Sequence, residues 1–269
     1  MNKGSRIFVA GARGLVGSAI CRTLAERGFA RVLAPSRSVL DLGVRPAVDR
    51  YFDEERPDYV FMAAAKVGGI VANDSYPADF IRDNLEIQTN VIDAAYRAGT
   101  RKLCFLGSSC IYPRLAPQPL QESSLLTGPL EPTNQWYAVA KIAGIKMCQA
   151  YALQHGFNAI SVMPTNLYGP GDNFDLQTSH VLPALLRKFH SAKETGTEVT
   201  VWGSGTPRRE FLYVDDLAEA LCFLMDSYDS PEIINVGWGE DVTIAELAEL
   251  IAGVVGFRGK VVFDRSKPD

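Results

Sequence analysis

The sequence predicts an α/β fold built on a doubly wound parallel sheet. Short β-branched runs alternate with helix-length segments from residue 6 to residue 163, the pattern of strands joined by crossover helices. A glycine-rich turn stands between the first run and the first helix. With 47% hydrophobic and 22% charged residues, 269 residues suffice to bury a sizeable core. No repeat, low-complexity tract or linker divides the chain. Residues 165–269 are therefore expected to form a smaller substrate lobe, partly interleaved with a nucleotide-binding domain over 1–164.

Arg6 to Ala10 reads as a buried strand. The turn that follows runs Gly11, Ala12, Arg13, Gly14, Leu15, Val16, Gly17 and opens a helix to about Gly28. In this Rossmann-type arrangement Gly11 permits the tight turn, Gly14 the approach of a pyrophosphate, and Gly17 close packing of helix on strand. The free N–H groups of the helix start face the phosphates. A second strand, Arg31 to Ala34, ends in Pro35, Ser36 and Arg37, with no carboxylate to accept from ribose hydroxyls. Arg37 instead suits a 2′-phosphate, helped by Arg13, so the cofactor expected is NADP(H) rather than NAD. Asp41 and Leu42 fall where an adenine edge rests.

Val44 to Arg56 reads as a helix stopped by Pro57, and Tyr59 to Ala63 as the third strand. The small residues after it allow a cofactor to lie against backbone, with a plain tight loop as the alternative. Asn73-Asp74-Ser75 matches a glycosylation acceptor and is read as chance. Asp79 to Gly99 is a long helix, Lys102 to Leu106 the fourth strand, Tyr137 to His155 a helix and Ala159 to Met163 the fifth strand. Beyond a Pro/Gly/Asn-rich loop, a helix is expected from His180 through Lys188. Trp202 and Arg209 flank a glycine turn between two strands and offer a stacking surface beside a phosphate partner. Thr243 and Glu246 form a capping box for a helix to about Val255, and Lys260 to Phe263 is a last strand.

The chemistry concentrates between Leu106 and Lys141. Ser108 and Cys110 follow the fourth strand, where open α/β sheets carry their sites. Tyr137 and Lys141, four apart, project from one helix face, and an ammonium beside a phenol is expected to lower the phenol's pKa. The net charge of −4 leaves no basic stripe for nucleic acid. Five scattered cysteines without metal spacing suit a reduced cytoplasmic protein, and no apolar run approaches membrane-spanning length.

Together the glycine loop, Ser108, Tyr137 and Lys141 resemble the extended short-chain dehydrogenase/reductase family of nucleotide-sugar enzymes. The runs A-A-A-K-V-G-G-I-V-A-N, L-G-S-S-C-I-Y-P, M-P-T-N-L-Y-G-P and R-E-F-L-Y-V-D-D resemble its branch that epimerises and reduces a GDP-4-keto-6-deoxy sugar with NADPH. That resemblance implies a cofactor site of Gly11 to Gly17, Arg37 to Leu42, then Leu106, Gly107, Ser108, Ser109, Lys141, Pro164, Thr165, Asn166, Leu167 and His180. It implies Cys110 and His180 as the epimerisation acid/base pair, thiolate and imidazolium suiting neutral pH. Lys188, Trp202, Arg209 and Asp269 would hold the GDP-sugar, with Arg208 as a rival to Arg209. It implies a homodimer through the helices Asp79–Gly99 and Tyr137–His155. It also implies that a C-terminal segment beyond Asp269 is missing. Within the family, a 4,6-dehydratase wants an Asp-Glu pair near Ser108, and a 4-epimerase needs no thiol at Cys110. An idle nucleotide-binding protein is the reading from another class, opposed by the presence of both Tyr137 and Lys141.

Overall fold

The computed structural model describes residues 1–176 and 178–267, and for residues 70–72 the backbone alone. In chain order it begins with β1 (Ile7–Ala10), α1 (Leu15–Glu26), β2 (Val32–Leu33), α2 (Arg45–Glu55) and β3 (Tyr59–Met62). Next come α3 (Ile70–Ser75), α4 (Pro77–Arg97), β4 (Lys102–Leu106), α5 (Gln135–His155) and β5 (Ala159–Pro164). The rest holds β6 (Asn166–Tyr168), α6 (Val181–Thr195), β7 (Val199–Trp202), β8 (Arg208–Tyr213) and α7 (Val214–Ser227). It closes with β9 (Ile233–Val236), β10 (Asp241–Thr243), α8 (Ile244–Val255) and β11 (Val261–Asp264).

Six strands form a parallel sheet in the order β2-β1-β3-β4-β5-β9. Because side chains alternate along a strand, β1 feeds two cores: Phe8 and Ala10 point to one face, Ile7 and Val9 to the other. Val48 and Phe52 of α2, Val91 and Ile92 of α4, and Ile142 and Ile145 of α5 cover the first face. Ile20 and Leu24 of α1 and Leu217 and Leu221 of α7 cover the second. Burial on both faces explains why the strands are apolar throughout rather than alternating. The chain steps outward from β1 to β2 and resumes at β3 on the other side of β1. The crevice at that reversal is where doubly wound sheets bind ligands.

The second lobe has its own core, with Phe189 of α6, Val199 and Val201 of β7, and Leu247 and Ile251 of α8 all buried. β11 pairs with β7 in parallel, and β8 lies between β10 and β6. The chain returns to the first lobe between these parts. α7 packs in the second core, and β9 extends the large sheet beside β5. Ion pairs of Arg22 with Asp215 and of Arg27 with Glu219 fasten α1 to α7.

Most boundaries agree with the sequence to within two residues. The helix expected from Asp79 starts at Pro77, whose missing N–H costs nothing in a first turn. The helix expected to end near Lys188 continues to Thr195 and stops where Gly196 turns left-handed at φ 68°.

Candidate active site

The glycine turn is shaped by contact. Gly11 has φ 78°, and a Cβ there would lie 2.8 Å from Ala64 Cα, so β1 and β3 approach too closely for any side chain. A Cβ on Gly17 would lie 2.1 Å from the Gly11 carbonyl oxygen, which fixes the start of α1 against the turn. Gly14, the residue preceding α1, has no side chain to cap the helix, so its first N–H groups stay available to an anion. This cradle fits a dinucleotide pyrophosphate. At the end of β2, Arg37 is 87% exposed and pairs through Nε with Asp41 at 3.2 Å. Asp41 also accepts from Gly43 N at 3.0 Å, and the Leu42 carbonyl accepts from Asn90 at 2.9 Å. The turn that presents Arg37 is therefore held from both sides. Arg13 is exposed and joins no ion pair among the described residues. No carboxylate stands directly at the strand end, and the exposed guanidiniums of Arg37, held through Nε by Asp41, and of Arg13 suit a 2′-phosphate.

β4 ends at Leu106, and Gly107 carries the chain over β5: a Cβ there would meet Met163 Sδ at 2.2 Å. Ser108 then begins a 3₁₀ turn, Ser109–Ile111, its Oγ accepting from Cys110 N at 3.4 Å. From α5, Lys141 reaches the same strand end. Only 4% exposed, it donates to the Leu106 carbonyl at 2.8 Å and lies over the rings of Phe105 (5.0 Å) and Tyr137 (5.6 Å). Burial lowers its pKa to about 8, with Cys110 acting in the opposite direction.

Two expectations about protonation are overturned here. Tyr137 is not acidified by its neighbour. Burial, and then Cys110, push its phenol well above the usual range. The Lys141 ammonium lies over the ring face and donates to the Leu106 carbonyl, and burial outweighs any lowering of the phenol's pKa. Nor do Cys110 and His180, expected as an acid/base pair, favour thiolate and imidazolium. Burial raises Cys110 despite Ser108 and Lys141, and burial lowers His180 despite Asp172. Both groups are neutral at pH 7.

His180 belongs to a different element. It stands immediately before α6 with part of its surface open to solvent, while the packing around the imidazole is dense enough to desolvate it. The two residues before it are held by Asn173 and Asp175 and, at the Thr178 carbonyl, by Gly69 of the loop after β3. Ser108, Cys110, Tyr137 and Lys141 thus gather at the end of β4. No hydrogen bond or ion pair joins His180 to that cluster among the described residues. Pro164, at the end of β5, is buried; Thr165 N donates to Val236 O at 3.2 Å, and Asn166 Nδ2 to Glu210 O at 3.0 Å. Leu167 packs in the second core.

In the second lobe Lys188 and Trp202 meet. Lys188 donates to Thr200 O at 2.9 Å and lies 5.1 Å from the Trp202 ring centroid; burial lowers its pKa. Trp202 remains 46% exposed, leaving area for stacking. The two arginines differ in their partners. Arg208 is bound to Asp241 at 2.7 Å and to Glu246, whereas Arg209 joins no ion pair among the described residues. Asp269 lies outside the described residues. Asp172, half-buried beside His180, and the Leu106 carbonyl that fixes Lys141 were not legible as such; in sequence Asp172 was only one polar residue of G-P-G-D-N-F.

Comparison with known proteins agrees with this geometry. A model of the NAD dependent epimerase/dehydratase family matches residues 7–237. The chain is 64% identical over 270 residues to the probable GDP-L-fucose synthase 1 of Oryza sativa subsp. japonica, covering 100% of this chain and 82% of that protein. It is 56% identical over 274 residues to the GDP-L-fucose synthase of Escherichia coli (strain K12), covering 98% and 85%. The crystal structure of a GDP-L-fucose synthetase from Naegleria fowleri bound to NADP superposes with TM-score 0.91 at 32% identity, covering 100% of this chain and 84% of that one. The glycine cradle, the Tyr-Lys pair beside a serine and cysteine at the strand end, and these likenesses place the chain in the NAD dependent epimerase/dehydratase family, the extended short-chain dehydrogenase/reductases, on the GDP-L-fucose synthase branch.

Proposed function

We infer that the chain makes GDP-L-fucose from GDP-4-keto-6-deoxy-D-mannose, inverting C3 and C5 and reducing C4 with NADPH. The observation that carries this reading is the cluster of Ser108, Cys110, Tyr137 and Lys141 at the end of β4, in a chain 64% identical to a probable GDP-L-fucose synthase. When bound, NADPH supplies the hydride for C4. Gly11 to Gly17 would hold its pyrophosphate and Arg37 its 2′-phosphate.

The substrate's own ketone makes the hydrogens at C3 and C5 acidic, because the carbanion is delocalised onto the C4 oxygen. Ser108 and Tyr137 donate to that oxygen and stabilise the enolate. Tyr137 suits the task because its raised pKa keeps the proton on the phenol until C4 is reduced. Each inversion requires one group to take a proton and another to return one on the opposite face. Cys110 and His180, resting as thiol and imidazole, provide one group of each kind. Lys141 holds a positive charge beneath Tyr137 and anchors α5 to the strand end. Lys188, Trp202 and Arg209 would receive the nucleotide, with Arg209, which joins no ion pair among the described residues, meeting the diphosphate.

Residues on both sides of α5 support a homodimer. Ile142 and Ile145 are buried in the first core, while Val139 and Leu153 are 41% and 92% exposed. Light scattering at twice the chain mass is the expected result. Five unpaired cysteines support a reducing cytoplasmic setting. No helix among the described residues is long and apolar enough to cross a membrane.

The test follows absorbance of reduced nicotinamide with GDP-4-keto-6-deoxymannose as substrate. Consumption at a kcat/KM higher for NADPH than for NADH, by about 10-fold or more, is expected from Arg37 and the missing carboxylate. Equal use of both cofactors would remove Arg37 from phosphate recognition, and no consumption of either would contradict the activity.

A further inference from the structure

The loop after β3 connects the cofactor cradle to His180. At its start, Ala63 and Ala64 press against Gly11. In its middle, the buried Asn84 of α4 grips both sides of Lys66. Its Oδ1 accepts from Lys66 N at 2.9 Å, and its Nδ2 donates to Lys66 O at 3.0 Å and to Phe80 O at 2.7 Å. At its end, Gly69 N donates to Thr178 O at 3.0 Å. A Cβ on Gly69 would lie 2.9 Å from Ser179 O. Asn73, 6% exposed, closes this end: its Nδ2 donates to Gly68 O at 2.7 Å and to Gly69 O at 3.2 Å. Thr178 and Ser179 are the two residues that precede His180.

We propose that Gly69 and Asn73 are positioning residues for His180, setting the imidazole relative to the substrate through Thr178 and Ser179. The proposal rests on reading His180 as one of the two epimerisation groups. Backbone meets backbone at Gly69, so the position needs glycine for room rather than for an unusual φ. An added methyl must push Ser179 aside by several tenths of an ångström, and His180 is the next residue. Proton abstraction demands contact geometry, and a displacement of about 1 Å costs on the order of 100-fold in rate. Asn73 acts from the other side. Both of its donated bonds hold the Gly68–Gly69 carbonyls, and an aspartate of the same shape cannot make them. The run G-G-I-V-A-N thereby acquires a role that neither a cofactor contact nor a glycosylation acceptor describes.

The experiment uses the full chain and GDP-4-keto-6-deoxymannose in D₂O without reduced nicotinamide, following deuterium entry at C3 and C5 by NMR. Gly69→Ala and Asn73→Asp are compared with wild type and with His180→Gln, alongside NADPH affinity and thermal melting. Gly69→Ala is expected to slow exchange by about 10-fold or more, through kcat, with KM and NADPH affinity within about 2-fold. The acid limb of its exchange–pH profile is expected to shift, because His180 has changed surroundings. Asn73→Asp is expected to change the same quantities in the same direction. Should Gly69→Ala fail to fold, Asn73→Asp decides alone. Exchange within about 2-fold of wild type, or a loss matched by weaker NADPH binding, overturns the proposal. Undiminished exchange in His180→Gln would instead overturn the reading of His180 on which it rests.

Discussion

Lys141 and His180 carry opposite demands on pH. Lys141 serves as an ammonium, held by the Leu106 carbonyl, and loses its charge as pH rises through about 8. In the proposed function His180 begins as imidazole to accept a proton, and desolvation holds its pKa below the ordinary 6.5. Turnover is therefore expected to persist on acidification to below pH 6.5 and then fall, and to decline on the alkaline side near 8. A profile of kcat/KM against pH checks both limbs. An acid limb above 6.5 would contradict the lowered pKa of His180, and a loss of turnover on raising the pH through 6.5 would mean that His180 works as the imidazolium. The residue types of this site were legible in the sequence because their spacing is chemical: strand end, then helix face. Their protonation was not. Burial decides it, and nothing in Y-A-V-A-K tells how deeply the phenol and the ammonium are buried.

Helix ends and strand edges show the same division between local and distant causes. The capping box of α8 is a four-residue matter and stands as read: Thr243 Oγ1 accepts from Glu246 N at 3.0 Å, while Glu246 accepts from Thr243 N at 2.7 Å. Thr243→Ala is expected to lower stability by about 1 kcal/mol in denaturant melts without changing NADPH binding, since α8 belongs to the second lobe's core. A loss of NADPH affinity would tie that lobe to the cradle more closely than the packing indicates. β9 was not legible. Its four residues, I-I-N-V, resemble any short apolar stretch, and only β5 across the sheet makes them a strand. The Pro-rich segment after Tyr112 is similarly fixed from afar. Glu122 accepts from Asn235 N at 2.9 Å, and Tyr112 donates to the Asn235 side chain at 2.5 Å, so the loop downstream of Cys110 is tied to β9.

For the whole molecule, the doubly wound sheet fixes where one substrate can meet three kinds of group. The reversal between β1 and β3 places the cofactor cradle, β4 and α5 deliver the phenol, ammonium and thiol, and in the proposed function the imidazole comes from the start of α6. The return of α7 and β9 to the first lobe means that the two lobes share one chain path rather than a single linker. That interleaving suits a site whose halves must keep register through two inversions and a reduction. The measurement that tests this account most directly is NMR of the product formed from GDP-4-keto-6-deoxymannose and NADPH in D₂O. The account predicts GDP-L-fucose carrying solvent deuterium at C3 and C5 and protium at C4, and no such product from Cys110→Ser. A product reduced at C4 but free of solvent deuterium, or an undiminished yield of doubly deuterated GDP-L-fucose from Cys110→Ser, would contradict it.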